Sequence, residues 1–135
     1  MVYADIRLQN GDDVSMSRRH IIGEEEIREI TINMMVDSGA LMLTINEEIR
    51  EALGLPIIDY RPSQLADGTR LELPVAGTVI VWYEGRFCTT NAIVLPGDNE
   101  PLLGAIPIEE MDLWVNPARN ILTAVHPEGP IMSLK

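Results

Sequence analysis

From Val2 to Asn10 (VYADIRLQN), apolar and polar positions alternate, with Val2, Ala4, Ile6 and Leu8 on one face and Tyr3, Asp5, Arg7 and Gln9 on the other. A period of two predicts a strand buried on one side. The next segment, GDDVSMSRRHIIGEEE (11–26), has no clean period and reads as a long excursion containing a helical turn. Alternation returns in IREITINMMVD (27–37), which places Ile30, Ile32, Met34 and Val36 together and predicts a second strand. TINEEIREALGLP (44–56) predicts a short helix, with Thr44 or Asn46 as its cap, acids in its first turn, and Gly54 and Pro56 to stop it.

SQLADGTRLELPVAG (63–77) predicts a hairpin turning at Asp67-Gly68, flanked by Leu65, Leu71 and Leu73. TVIVWYEGRFCTTNAIVL (78–95) predicts another, turning at Glu84-Gly85, with β-branched and aromatic arms. In PLLGAIPIEEMDLWV (101–115) an apolar strand end meets a glycine and then a short helix carrying Pro107 in its first turn. NPARNILTAVHP (116–127) is a turn and a strand, and a tail follows, loose or paired. Many short strands with one or two short helices make a small, mostly β, barrel-like domain. We expect one domain over residues 1–135, with a core at about 27–122, the 11–26 excursion and a 124–135 tail.

Composition narrows the function. Ten basic residues stand against 21 acidic ones, a net charge of −11, with no basic stripe. Such a chain repels phosphate backbones and anionic lipid surfaces, so neither nucleic acid nor membrane is an expected partner. The apolar runs are too short to span a bilayer, and the N-terminal residues lack a signal-peptide layout. Cys88 is the single cysteine, which excludes a disulfide framework and a thiolate cluster. A cytoplasmic setting is the expectation.

Little in the chain carries chemistry. His20 and His126 lie far apart with no metal-ligand spacing around them, so no metal and no cofactor is expected. Cys88 falls mid-strand, where a free cysteine acts as a small hydrophobe. The methionines, Trp82 and Trp114 fall at core-like positions. What remains is MMVDSGAL (34–41), where an apolar strand runs straight into Asp37, Ser38 and Gly39. Asp-Ser-Gly is ordinary turn chemistry by itself. Its context is less ordinary, because a second apolar stretch further along ends at a glycine (PLLGA) and leads into a helix.

That order resembles the retropepsin-like aspartic proteases, single-lobe relatives of the retroviral proteases and of pepsin halves. The order is strand, D-[ST]-G-A, short helix, glycine-bearing hairpin, paired strands, apolar-apolar-Gly and short helix. The resemblance covers roughly residues 27–122, with 2–10 supplying the first strand. NMMVDSGALMLTIN resembles the catalytic loop, LADGTRLELP the flap, and EPLLGAIPIEEMDL the second loop with its helix. The excursion at 11–26 and the tail depart from the short retroviral pattern.

The resemblance implies a closed acid-protease barrel and an aspartic endopeptidase. Asp37, Ser38 and Gly39 would be catalytic. Ala40 and the hairpin residues Ala66, Asp67, Gly68 and Thr69 would bind substrate, and Leu102, Leu103 and Gly104 would pack behind the loop. Hydrolysis by this route needs two carboxylates sharing a proton, yet the chain holds one D-[ST]-G, since the aspartate in ADGT (66–69) is followed directly by glycine. The second carboxylate must then come from another copy of the chain, in a twofold homodimer acting on a peptide or protein. The Ser38 hydroxyl would bond across the axis. Two other readings of the same residues are a catalytically inactive peptide-binding or dimeric scaffold module, and a monomeric barrel in which Asp37 only caps a turn.

Overall fold

The computed structural model describes residues 1–131. Strand β1 (Val2–Asn10) buries Val2, Ala4, Ile6 and Leu8 as its alternation demands. It pairs antiparallel with β2 (Glu29–Val36) over its whole length, from Val2 opposite Val36 to Gln9 opposite Glu29. The excursion between them is a helix, α1 (Gly11–Arg18), followed by a 3-10 turn at Glu24–Glu26.

Buried polar groups tie this excursion down. The Asn10 side chain accepts the Asp13 N–H at 3.0 Å and donates to the Leu53 carbonyl at 2.8 Å. Buried Asp13 receives Arg28 through Nε and Nη2 at 2.8 and 2.9 Å, and the Arg28 backbone N–H at 3.0 Å. A two-pronged guanidinium–carboxylate bond with a third donor satisfies a charge that burial would otherwise penalise.

The expected helix at 44–56 is shorter. Leu43–Asn46 is a strand, β3, and the helix α2 runs from Glu47 to Leu53. Leu43 and Ile45 are fully buried, and β3 lies parallel to β6 (Arg86–Leu95). Burial between strands therefore overrides the helical reading of these β-compatible residues. Asn46, and not Thr44, is the cap, accepting the Ile49 N–H at 2.9 Å. Gly54 ends the helix in the left-handed region, φ 62°.

The two expected hairpins share a strand. Strand β4 (Ile57–Gln64) starts before the sequence pattern indicated, and β5 (Arg70–Tyr83) runs through the supposed boundary at 77/78 with a register shift between Ala76 and Val79. The Glu84-Gly85 turn to β6 is as expected, with φ of 45° and 81°. Strand β7 (Leu102–Leu103) and helix α3 (Ala105–Glu110) follow. Strands β8 (Leu113–Asn116) and β9 (Ile121–Ala124) form a separate pair.

The large sheet runs β1-β2-β7-β3-β6-β5-β4, and β1 also pairs with β5, Leu8 facing Val81. The sheet therefore curls around one apolar core that includes Ile6, Leu8, Met34, Leu43, Val79 and Leu103. The fold is mostly β, as expected. Two assignments to the core fail. Trp114 is 42% exposed and Met1 is 83% exposed. Trp82 is half-buried, donating to Gln9 Oε1 at 2.8 Å beneath the Arg7 guanidinium. Among the described residues no helix is long and apolar enough to cross a membrane.

Ala124 closes β9, opposite Leu113. Beyond it, Val125 donates to the Asp112 carbonyl at 2.8 Å, and Ile131 to the Asp112 carboxylate at 3.3 Å. The rest of the tail, 132–135, lies outside the described residues.

Candidate active site

Strand β2 delivers Asp37. Met34 and Val36, buried on its inner face, anchor the strand end, and the chain turns just beyond. The Asp37 N–H donates to the Leu103 carbonyl at 2.9 Å, and the Asp37 carbonyl accepts the Ala40 N–H at 3.1 Å. Within that turn the Gly39 N–H donates to Asp37 Oδ1 at 2.9 Å. The loop's own backbone thus aims the carboxylate. A Cβ on residue 39 would lie 3.1 Å from the same oxygen, so glycine keeps this approach free.

A second loop holds the first. Leu102 and Leu103 run parallel to Met35 and Val36, and Leu102 faces Thr44 from the other side. Gly104 then passes so close to the Asp37 loop that a Cβ there would meet the Met42 carbonyl oxygen at 2.3 Å and that of Ala40 at 2.9 Å. Such a backbone approach admits only glycine. The first N–H groups of a helix have no partner within it. In α3 two of them go to the Asp37 loop, Ala105 to the Ala40 carbonyl at 2.7 Å and Ile106 to that of Leu41 at 2.9 Å.

A cavity of about 580 Å³ opens between this loop and the β4–β5 hairpin. Asp37, Gly39 and Ala40 form one wall, and Ser63, Gln64, Leu65 and Ala66 form the other. Leu73, Ile93, Leu95, Leu102 and Thr44 complete it, and among the described residues Asp37 is the one carboxylate lining it. The half-buried side chain of Asp37 therefore borders apolar space wide enough for peptide side chains.

Five of the residues expected at the site border this cavity: Asp37, Gly39, Ala40, Ala66 and Leu102. Ser38 is exposed and does not line it. Leu103 and Gly104 are buried beside the loop and do not line the cavity. Asp67, Gly68 and Thr69 form the exposed tip of the hairpin, outside the cavity. There Asp67 Oδ1 accepts the Thr69 N–H at 2.9 Å, a bond that holds its carboxyl below the usual range, and Gly68 takes φ 89°. Sequence reasoning missed the cavity residues Thr44, Ser63, Gln64, Leu65, Leu73, Ile93 and Leu95. The two expected hairpins put Leu73 and Ile93 on their arms, but nothing local says which strands face the Asp37 loop.

The remaining reactive groups have other employment. Burial, with Glu110 nearby, pushes the Cys88 thiol up to about 12, so it stays protonated at neutral pH. His126 Nδ1 lies 2.6 Å from Asp112 Oδ2, and buried Arg86 bonds the Met111, Asp112 and His126 carbonyls. This cluster fastens the β8–β9 unit and the tail to β6. His20 stands exposed at φ 61°. Among the described residues no three His, Cys, Asp or Glu side chains converge as a metal site would require.

A family model described as aspartyl protease matches residues 24–105, which takes in the Asp37 loop, the hairpin and the Leu102–Gly104 loop. The chain is also similar to the crystal structure of the retroviral protease-like domain of Ddi1 from Leishmania major. The TM-score is 0.55 at 13% identity, covering 92% of this chain and 89% of that one. At that identity the likeness is one of fold. No curated protein matches the chain by sequence.

Proposed function

The chain belongs to the aspartyl protease family, and from that premise we propose that it is an aspartic endopeptidase whose catalytic dyad joins Asp37 of two copies. The observation that carries this reading is the isolation of Asp37. It is aimed by the Gly39 N–H, backed by the Leu102–Gly104 loop, and among the described residues the one carboxylate at a peptide-sized, largely apolar cavity. One such carboxylate is half of what this hydrolysis needs. A twofold homodimer supplies the other half, since an isologous contact brings the same residue of each subunit to the axis.

In that dimer two carboxylates about 3 Å apart cannot both ionise, so they share one proton. The charged one takes a proton from a water molecule, which attacks the peptide carbonyl carbon. The protonated one donates to the carbonyl oxygen, and as the tetrahedral species collapses the proton gained from water goes to the leaving amine. Ser38, exposed on each loop, bonds to the partner loop and keeps the dyad rigid. The Asp67-Gly68 hairpin closes over the peptide and excludes water.

The test is incubation with a mixed peptide library, comparing the wild-type protein with Asp37→Asn. Discrete cleavage that disappears in the variant supports the reading. Peptide binding without cleavage by the wild type would favour the silent binding module, and cleavage that survived in Asp37→Asn would overturn the dyad.

A further inference from the structure

Arg61 lies on β4 directly opposite Leu73 of β5. Opposed residues of an antiparallel pair share a face of the sheet, and Leu73 lines the cavity, so Arg61 is on the cleft side of the hairpin. Its Nη1 reaches across to Met42 Sδ at 3.0 Å, just beyond the Asp37 loop. A thioether is a weak acceptor, while a guanidinium carries five donors and a full charge.

Arg61 is exposed, and among the described residues no carboxylate lies within ion-pair distance of it. Arg7, Arg28, Arg50 and Arg86 each have an acidic partner, whereas Arg18, Arg19, Arg70 and Arg119, like Arg61, have none among the described residues. Asp59, which shares the face of Arg61 in the register, instead accepts the Tyr60 N–H at 2.8 Å. In a chain with 21 acidic side chains, a cation without a carboxylate partner beside a largely apolar cleft is positioned to receive an acid from outside the chain.

We propose that Arg61 is a specificity residue, which takes a carboxylate side chain of the peptide close to the apolar residue seated in the cavity. The substrate class is then an apolar residue at the scissile bond with an aspartate or glutamate a short step away. Extended peptides turn successive side chains to opposite sides, so one peptide can fill the cavity and meet Arg61. This inference rests on the peptidase reading.

The experiment uses the full-length protein and a positional peptide library in which each residue flanking an apolar core is Glu, Gln or Lys. Cleavage is read as relative kcat/KM, and binding to the Asp37→Asn protein is read in parallel by fluorescence anisotropy. The expected result is one position at which Glu exceeds Gln by about fivefold, the upper range of a partly exposed ion pair. Arg61→Gln levels that ratio, and Arg61→Glu inverts it in favour of Lys, which a merely structural arginine would not do. Equal rates for Glu and Gln at every position overturn the role of Arg61 while leaving the peptidase intact. Glu-selective binding without any cleavage supports Arg61 and overturns the peptidase. A protein that neither binds nor cleaves overturns both.

Discussion

The Ala40 carbonyl accepts the Ala105 N–H at 2.7 Å, joining the loop that carries Asp37 to the first turn of α3. The bond forms only because Gly104, between β7 and α3, lets two backbones come closer than any Cβ would allow. Gly104→Ala should therefore push the two loops apart. We expect a loss of about 1–3 kcal/mol, the cost of overpacking a tight site, seen as a lower urea midpoint. Activity should fall further than stability, because the displaced loop is the one that aims Asp37. A variant as stable as wild type would show that the approach relaxes freely.

Asp37→Asn should abolish peptide cleavage and change stability by less than about 0.5 kcal/mol, as for other surface changes. Asparagine keeps an oxygen to accept the Gly39 N–H but cannot act as a base. Calorimetry on the same preparation separates lost chemistry from lost fold.

Activity should trace a bell against pH. The working dyad holds one proton, so turnover falls on the alkaline side as that proton leaves and on the acid side as a second arrives. Near-ultraviolet circular dichroism on the assay samples distinguishes the acid limb from unfolding, which 21 acidic residues make a real competitor. A flat profile from acid through alkaline pH would exclude the shared proton.

Asp13 should be a source of that acid sensitivity. Its bonds to the Arg28 side chain hold it below the usual carboxylate range, against the opposing pull of burial. A depressed folded value means that its contribution is fully present above the unfolded value of about 4 and is lost as pH falls through the folded one. Asp13→Asn should cost about 1–3 kcal/mol at neutral pH, as for a broken ion pair with one exposed partner. The gap to wild type should close well below pH 4, which urea titrations at neutral and acid pH would check. A gap that persisted in acid would mean that Asp13 acts through packing alone.

The protein should sediment as a dimer at tens of micromolar, about the range in which weak dimers form. Among the described residues, Val2–Ile6 of β1, past the stretch that pairs with β5, has a partner on one side, and β9 pairs with β8 alone. Asn120, just before β9, donates to the Met1 carbonyl at 3.2 Å, so these edges lie close together. Unpaired edges invite pairing, and Tyr3 and Ile121 are exposed on them. Ile121→Lys should weaken the dimer by about tenfold, a typical loss for an apolar contact inside an interface. Sedimentation as monomer at every concentration would remove the basis for the dyad.

The sequence by itself determined the local pieces. Alternation placed β1 and β2 and their inward faces, because a half-buried strand must repeat every two residues. Gly54 and one of two candidate caps, Thr44 or Asn46, bounded α2, because caps and left-handed stops have few residues to choose from, and the structure takes Asn46. Asp37, Ser38 and Gly39 stood out for the same reason, as a tight turn at the end of a buried strand. Leu43–Asn46 was misread because a capping signal and a strand overlap there, and only its place between β6 and β7 makes it β3. The cavity lay further out of reach. Ser63 and Leu73 on the hairpin, Ile93 and Leu95 on β6, and Asp37 are far apart in the chain. They share one space only because the sheet curls until β1 meets β5, and that curl is a sum over every pairing, held in no single segment. Arg61 likewise lay before the expected hairpin, in a stretch with no assigned element, and only the closeness of β4 to Met42 sets its charge near the cleft.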